Sequence, residues 1–286
     1  MMKGIILAAG RGTRLYPMTR PVCKPLLPVY DKPMIYYPLS VLMQAGIREI
    51  LVIVPPGEEP AFSALLGDGS HLGVSIQYTV QPAARGIADA LLIGRDFLAG
   101  EDLCLALGDN IFWAPDFAAT LKAAAAGNQG ATVFGCYVDD PRPFGVVGFD
   151  ESGRATSIEE KPKNPKSNYI VPGLYFYDSS SMDIAARLTP SARGELEITD
   201  VNLEYLRRGQ LQVVPLRDNY LWKDAGNADS LLSTAQAIRD LQASGSYVGC
   251  IEEVAWQEGF ISREQLRRLG EDLSMTAYGQ HLLSLG

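Results

Sequence analysis

Short strand-like runs recur along the first half of the chain, each followed by a segment with room for one helix. They are Gly4–Leu7, Glu49–Val54, Ser75–Val80, Leu103–Leu107 and Thr132–Val138. Several, such as Ile50-Leu-Val-Ile-Val54, are apolar at consecutive positions, the mark of a strand covered on both faces. Helical patterns lie between them, ending near Ala45 and spanning Ala61–Leu66, Ala88–Ile93 and Phe117–Ala126. This alternation predicts an α/β fold, a mixed, mostly parallel sheet with helices on both faces. Ligands of such sheets sit at the carboxyl ends of the strands. Residues 8–14, Gln81 onward and Asp109 all follow strands directly, so they are expected along one edge.

From Gly145 the pattern changes to shorter strands with turns: Gly145–Phe149, Ala155–Glu159, Tyr169–Tyr177 and Leu211–Pro215, with helices near Met182–Leu188 and Thr199–Arg208. After Asp224 the chain reads as largely helical, most clearly over Ala228–Gln242 and Arg263–Leu269. The expected organisation is one domain over 1–226, with a core over about 1–140 and a smaller lobe over about 141–226, followed by a helical segment over 227–286 packed on the core.

Charge is distributed unevenly. The chain holds 33 Asp and Glu against 25 Lys and Arg, a net charge of −8. Yet Lys3, Arg11, Arg14, Arg20 and Lys24 precede the first acid, Asp31. The cations surround Ala8-Ala-Gly-Arg-Gly-Thr-Arg14, where small residues let an anion approach the backbone N–H groups. Thr13 offers a hydroxyl, Arg14 a planar fork and Lys24 a mobile point charge, a set suited to a polyphosphate. The spacing matches neither Gly-x-x-x-x-Gly-Lys-Ser/Thr nor Gly-x-Gly-x-x-Gly.

Asp109 ends a buried strand within Leu107-Gly-Asp-Asn110, and Asp224, within Trp222-Lys-Asp-Ala-Gly226, follows another apolar strand at the edge of a turn. A buried carboxylate needs a cation, and two of them with phosphate oxygens would make a Mg²⁺ site; each alone also reads as a turn cap. Glu160 and Lys161, in Glu159-Glu-Lys-Pro162, suit sugar hydroxyls and a second phosphate, or equally a solvated turn. Arg193 is a further candidate anion contact. Gln81 could make a two-point hydrogen bond to a base edge, and Gly86 could admit the ring, unless Gln81–Gly86 is only a proline-containing turn.

The acidic balance excludes non-specific nucleic-acid binding, and no apolar run reaches the ~20 residues of a membrane span. The opening lacks the form of a signal peptide. Cys23, Cys104, Cys136 and Cys250 are widely spaced without a Cys-x-x-Cys pair, which fits free thiols in a reducing cytoplasm. His71 and His281 are the only histidines and both read as incidental, so a histidine-dependent nucleophile is not expected.

Ordered segments across the whole length carry a resemblance. They are Gly10-Arg-Gly-Thr-Arg-Leu-Tyr-Pro17, Leu27–Leu39, Leu107–Phe112, Glu159–Pro162, Pro165–Tyr169, Gly173–Asp178 and Ser191–Asp200. The chain resembles the sugar-1-phosphate nucleotidyltransferase family, nearest its short-form glucose-1-phosphate thymidylyltransferases. The resemblance implies that residues 1–226 are the catalytic domain, a Rossmann-like sheet with a nucleotide-binding core over about 1–140 and a sugar-binding lobe over about 141–226, and that the chain assembles as a homotetramer with residues 227–286 at a subunit interface. It implies condensation of dTTP with glucose 1-phosphate to dTDP-glucose and pyrophosphate, with Mg²⁺. Leu7, Gly10, Gly12, Thr13, Arg14, Lys24 and Asp109 would hold the nucleotide, with Gln81 and Gly86 at its base. Asn110, Gly145, Glu160, Lys161, Val171 and Arg193 would hold the sugar phosphate. Asp109 and Asp224 would hold the metal, and Arg14, Lys24, Asp109, Lys161 and Asp224 would carry the chemistry.

Some positions depart from the group's pattern. Pro25 stands where Gln is usual, removing an amide near the nucleotide. Asp89 stands for Gln, Phe144 for Tyr, Pro172 for Thr, and Gln257 for an arginine that contacts a feedback inhibitor. Alternatives are therefore the same chemistry with UTP or another hexose 1-phosphate. A different class is a non-catalytic nucleotide-sugar sensor, which would be expected to lack Arg14, Lys24, Asp109 or Asp224.

Overall fold

The computed structural model describes residues 2–217 and 219–286. Its elements begin with β1 (Lys3–Leu7), a small ribbon of β2 (Pro28–Val29) and β3 (Lys32–Pro33), then α1 (Tyr36–Gln44), β4 (Glu49–Val54), α2 (Glu59–Leu66) and β5 (Ser75–Val80). There follow α3 (Asp89–Ile93), α4 (Arg95–Leu98), β6 (Leu103–Leu107), β7 (Asn110–Trp113), α5 (Phe117–Gly127) and β8 (Ala131–Tyr137). The next stretch holds β9 (Gly145–Phe149), β10 (Ala155–Glu160), β11 (Tyr169–Ile170), β12 (Leu174–Tyr177), α6 (Ser181–Ala185), α7 (Ile198–Arg207), β13 (Leu211–Pro215) and β14 (Leu221–Asp224). The chain closes with α8 (Ala228–Ala243), α9 (Ile251–Gln257), α10 (Arg263–Asp272) and α11 (Ala277–Leu285).

One ten-stranded sheet runs in the order β10-β9-β11-β8-β12-β6-β1-β4-β5, with β13 beside β8. The segment β6-β1-β4-β5 is parallel, as the alternation with helices predicts. Beyond it β12 runs antiparallel to both β6 and β8. The fold is thus the expected mixed α/β sheet, and the strands after residue 140 continue it through β8.

Because side chains alternate along a strand, the sheet feeds two cores. Ile6, Ile50, Val52, Cys104 and Ala106 pack with Leu39 and Leu42 of α1 and Ile251 and Val254 of α9. Ile5, Leu51, Ile53, Leu103 and Leu105 face the other way, onto Ala90 and Leu91 of α3 and Val201 and Tyr205 of α7. Helices therefore cover both faces. Removing both faces from water is what makes these strands read as unbroken apolar runs.

Two expectations need correction. Tyr169–Tyr177 is not one strand: Val171, Pro172 and Gly173 interrupt it between β11 and β12. Pro172 has no N–H to donate, and a Cβ at Gly173 would lie 2.6 Å from the Leu107 side chain. The second correction concerns β7, which pattern reading missed, and its pairing with β14, the strand expected before Asp224. They form a separate antiparallel ribbon in which Asp224 faces Asn110 and Lys223 faces Ile111. Each is short, and their pairing spans more than a hundred residues.

Candidate active site

The loop after β1 enters the site through glycine geometry. Gly12 has φ +60°, and a Cβ there would come within 2.9 Å of Lys24 Cβ. Only glycine meets both demands, so the loop folds tightly against the segment that carries Lys24. Thr19 Oγ1 donates to the Gly12 carbonyl at 2.7 Å and fixes the turn. Gly10, Arg11, Thr13 and Arg14 are exposed, whereas Lys24 is only 5% exposed. Leu7 holds this edge together, its carbonyl accepting from Gly108 N at 3.0 Å.

Lys24 Nζ donates to Asp109 Oδ2 in a short ion pair. Burial pushes the Asp109 carboxyl up, but the Lys24 charge and hydrogen bond and the Asn110 amide outweigh it and hold the group below its usual range. The β7–β14 ribbon brings Asp224 alongside, with Ala225 N donating to the Asp109 carbonyl at 3.2 Å. Asp224 behaves oppositely. Burial and the Asp109 charge raise its pKa, against smaller lowering effects of Lys24 and Arg14. Its Oδ1 is buried without a hydrogen-bond partner among the described residues. A Cβ at Gly226 would lie 3.0 Å from both that oxygen and the Arg14 guanidinium, so the space beside them stays open for want of a side chain.

An open cleft of about 1130 Å³ runs from this carboxylate pair across the sheet edge. Arg14, Asp109, Asn110, Gly145, Glu160, Lys161, Val171 and Asp224 all line it. Lys24 stands behind Asp109. Asn110 is locked, its Oδ1 accepting from Trp222 Nε1 at 2.7 Å and Gly173 N at 3.1 Å. Lys161 has φ +43°, a strained value for a non-glycine residue, and its ammonium lies 3.5 Å from Glu160 Oε1. Glu160 accepts from Thr199 Oγ1 at 2.6 Å, and Val171 N donates to the Gly145 carbonyl at 2.8 Å.

Leu7, Gly10, Gly12, Thr13 and Lys24 do not line the cleft, and neither do Arg193, Gln81 and Gly86. The Arg193 guanidinium meets Glu160 at 3.2 Å, Glu195 at 3.3 Å and Glu197 at 2.8 Å, so its charge is already matched within the chain. That geometry suits holding Glu160 in place better than receiving an anion. Gln81 lies at the end of β5 and Gly86 in the loop beyond. Gly86 has φ +101°, and a Cβ there would lie 2.4 Å from the Leu196 carbonyl. Its glycine is thus required by packing of this loop on residues 193–197, where Leu196 N also donates to the Arg85 carbonyl at 2.7 Å.

Sequence reading passed over Thr199 and Trp222 as site residues, though both lie within motifs it singled out. Thr199 orients Glu160, and Trp222 holds Asn110 and packs edge-on to Phe144 at 5.3 Å between ring centres. A hydroxyl and an indole carry no signal of partnership until the fold juxtaposes them. His281 is more engaged than expected: it pairs with Glu253 at 2.7 Å and stacks on Tyr247, away from the cleft lining. No helix among the described residues is long and apolar enough to cross a membrane.

Comparison with known proteins shows the family and the fold. The nucleotidyl transferase family model matches residues 3–240. A glucose-1-phosphate thymidylyltransferase of Neisseria meningitidis is 54% identical over 285 residues, 99% of each chain. That of Xanthomonas campestris is 55% identical over 284 residues, covering 99% of this chain and 96% of the relative. The Mycobacterium tuberculosis counterpart is 50% identical over 285 residues, again 99% of each. Among solved structures, a Bacillus anthracis protein described as a glucose-1-phosphate thymidylyltransferase, crystallised with sucrose, superimposes with TM-score 0.78 at 43% identity. It covers 84% of this chain and 96% of its own. A UDP-glucose pyrophosphorylase shares the fold at TM-score 0.73 and 22% identity, covering 84% and 99%.

Proposed function

The chain belongs to the nucleotidyl transferase family, and we propose that it condenses dTTP with glucose 1-phosphate to give dTDP-glucose and pyrophosphate. The observation that carries the mechanism is the pair Asp109–Asp224, set between two cationic groups with one buried carboxylate oxygen left unpartnered.

The nucleophile needs no general base, because the second pKa of a phosphate monoester is about 6 and the sugar phosphate is dianionic at neutral pH. One of its oxygens attacks the α-phosphorus in line. The bond from that phosphorus to the β-phosphate bridge oxygen breaks, and its electron pair leaves with pyrophosphate. Two anions must be brought together, so the task is charge screening and alignment. Arg14 and Lys161 both line the cleft, and their motifs suit the triphosphate and the sugar phosphate respectively. Lys24 keeps Asp109 ionised and in place. Glu160, held by Thr199 and Arg193, presents an acceptor for sugar hydroxyls.

The donor set fits Mg²⁺: two adjacent oxygen ligands of a hard kind, one carrying an unpartnered buried oxygen. Asp109 and Asp224 would hold the ion, which would supply positive charge to the phosphate oxygens as charge spreads in the transition state. The same reading places the enzyme in the cytoplasm as a homo-oligomer, in keeping with four free cysteines and with Leu232 and Met275 exposed on and beside the C-terminal helices. Light scattering tests the tetramer.

The test of function is pyrophosphate release with Mg²⁺, crossing dTTP, UTP, CTP, ATP and GTP with glucose 1-phosphate and other hexose 1-phosphates. A dominant dTTP–glucose 1-phosphate signal is expected. Preference for another pair would move the specificity, and silence across the grid would favour a nucleotide-sugar sensor.

A further inference from the structure

Gln81 is buried, and its side chain is tied down on one end only. Nε2 donates to Asp89 Oδ2 at 2.9 Å and makes a longer contact of 3.4 Å with the Gly86 carbonyl. Asp89 is 0% exposed and receives a second hydrogen bond, from Arg85 NH2 at 2.7 Å. An ionised carboxylate and a carbonyl offer only lone pairs, so the amide end facing them must be the NH₂. A flipped amide would set oxygen against oxygen on both sides. Both donors of Gln81 are therefore occupied within the chain. Its Oε1 has no hydrogen-bond partner among the described residues.

Gln81 N donates to the Val54 carbonyl and Ala8 N to the Ile53 carbonyl, so both loops leave the sheet at the same edge. β5 lies two strands from β1, about 10 Å at the usual strand spacing, which is the scale separating a base from its phosphates.

We propose that Asp89 is a specificity-determining positioning residue: it locks the Gln81 amide so that only an acceptor, Oε1, faces the base, selecting pyrimidines that carry a ring N3–H. This rests on the nucleotidyltransferase reading above. Thymine and uracil present N3–H to such an acceptor. Cytosine presents a lone pair at N3, and the two acceptors repel. Gln81 then reads the base at one point, not at the two that its side chain alone would allow. A site with a fixed buried partner rejects the mismatched base more strongly than one whose amide can turn over.

The experiment measures kcat/KM for dTTP and dCTP with glucose 1-phosphate as co-substrate. The wild-type enzyme should prefer dTTP by at least about a hundredfold. In D89N the new amide at position 89 can donate or accept, the Gln81 amide is free to turn, and the preference should fall by about tenfold or more. In Q81E/D89N the carboxylate introduced at position 81 offers only acceptors and the amide at position 89 supplies the donor, so the preference should recover. Equal losses for both nucleotides in D89N, or no recovery in the double variant, would assign Asp89 to general packing and overturn the proposal. Should D89N fail to fold, the wild-type enzyme still decides: comparable use of dCTP and dTTP overturns the proposal. Absence of pyrophosphate release with any nucleotide would instead refute the enzymatic reading, and this inference with it.

Discussion

Replacing Asp224 by Asn should make the protein more stable and the enzyme nearly inactive. Asp224 Oδ1 is buried without a partner, and the neighbouring Asp109 charge and burial both disfavour its ionised form. An unsatisfied buried polar atom costs about 1–3 kcal/mol, more for a charged one. Asparagine removes the charge while leaving a polar atom to be dehydrated, so a net gain of about 1 kcal/mol is expected. For a chain of this size that is about 2–4 °C in Tm. The effect has a pH signature. Because the folded carboxyl titrates above its ordinary 3.8, the folded state holds a proton that the unfolded state has already lost. Wild-type stability should therefore decline as pH rises from about 3.8 through the raised value, and that contribution should vanish in D224N. Turnover should drop by about a hundredfold or more, since a group that organises transition-state charge is lost. Mg²⁺ at a hundred times its Kd should stabilise the wild type by about 2.7 kcal/mol and leave D224N nearly unmoved. Calorimetry with and without Mg²⁺, beside a pyrophosphate-release assay, measures all of this. A lower Tm in the variant, or near-normal turnover with the Mg²⁺ shift intact, would refute the assignment.

Lys161→Ala should raise the KM for glucose 1-phosphate by about tenfold while leaving that for dTTP near its wild-type value, the loss expected when one charged contact of about 1.4 kcal/mol disappears; an unchanged sugar KM contradicts the role. Gly86→Ala should destabilise the fold by more than about 1 kcal/mol, because φ is +101° and the Leu196 carbonyl lies 2.4 Å from the new Cβ. Thermal unfolding reads this, and an unshifted Tm would show that the loop yields. Of the thiols, Cys136 should react first with a disulfide reagent, being half-buried at the cleft wall. Cys23 is buried, and burial with the Glu58 charge pushes its thiol up to about 12. Cys104 is raised by burial as well, and Cys250 by burial and the Glu252 charge. Substrates should slow the Cys136 reaction; rapid modification of a second thiol in the folded protein would count against this order.

Local signals were enough wherever a residue's role depends on its own chain neighbours. Ser75–Val80, Leu103–Leu107 and Gly145–Phe149 have in the structure the bounds their patterns predict, because strand burial and turn chemistry act over a few residues. The glycine loop at residues 10–14 was legible for the same reason: its cations and small residues are consecutive. Pattern reading failed at β7 and at its pairing with β14, because two strands of four residues each take their stability from one another.

The amino-acid sequence alone determined the two-faced sheet, the edge at which its loops emerge and the family to which the motifs point. Tertiary structure decided how the charges meet. Burial raises both carboxyls; Lys24, 85 positions away, overturns that shift at Asp109, and Asp109, 115 positions away, adds to it at Asp224. Tertiary structure also pairs Arg193 with Glu160, Glu195 and Glu197, and turns the Gln81 amide nitrogen to Asp89 and the Gly86 carbonyl. Apolar periodicity is a property of a segment, whereas a hydrogen bond or a Coulomb interaction belongs to a pair. Which pair forms is set only when the chain closes its long loops.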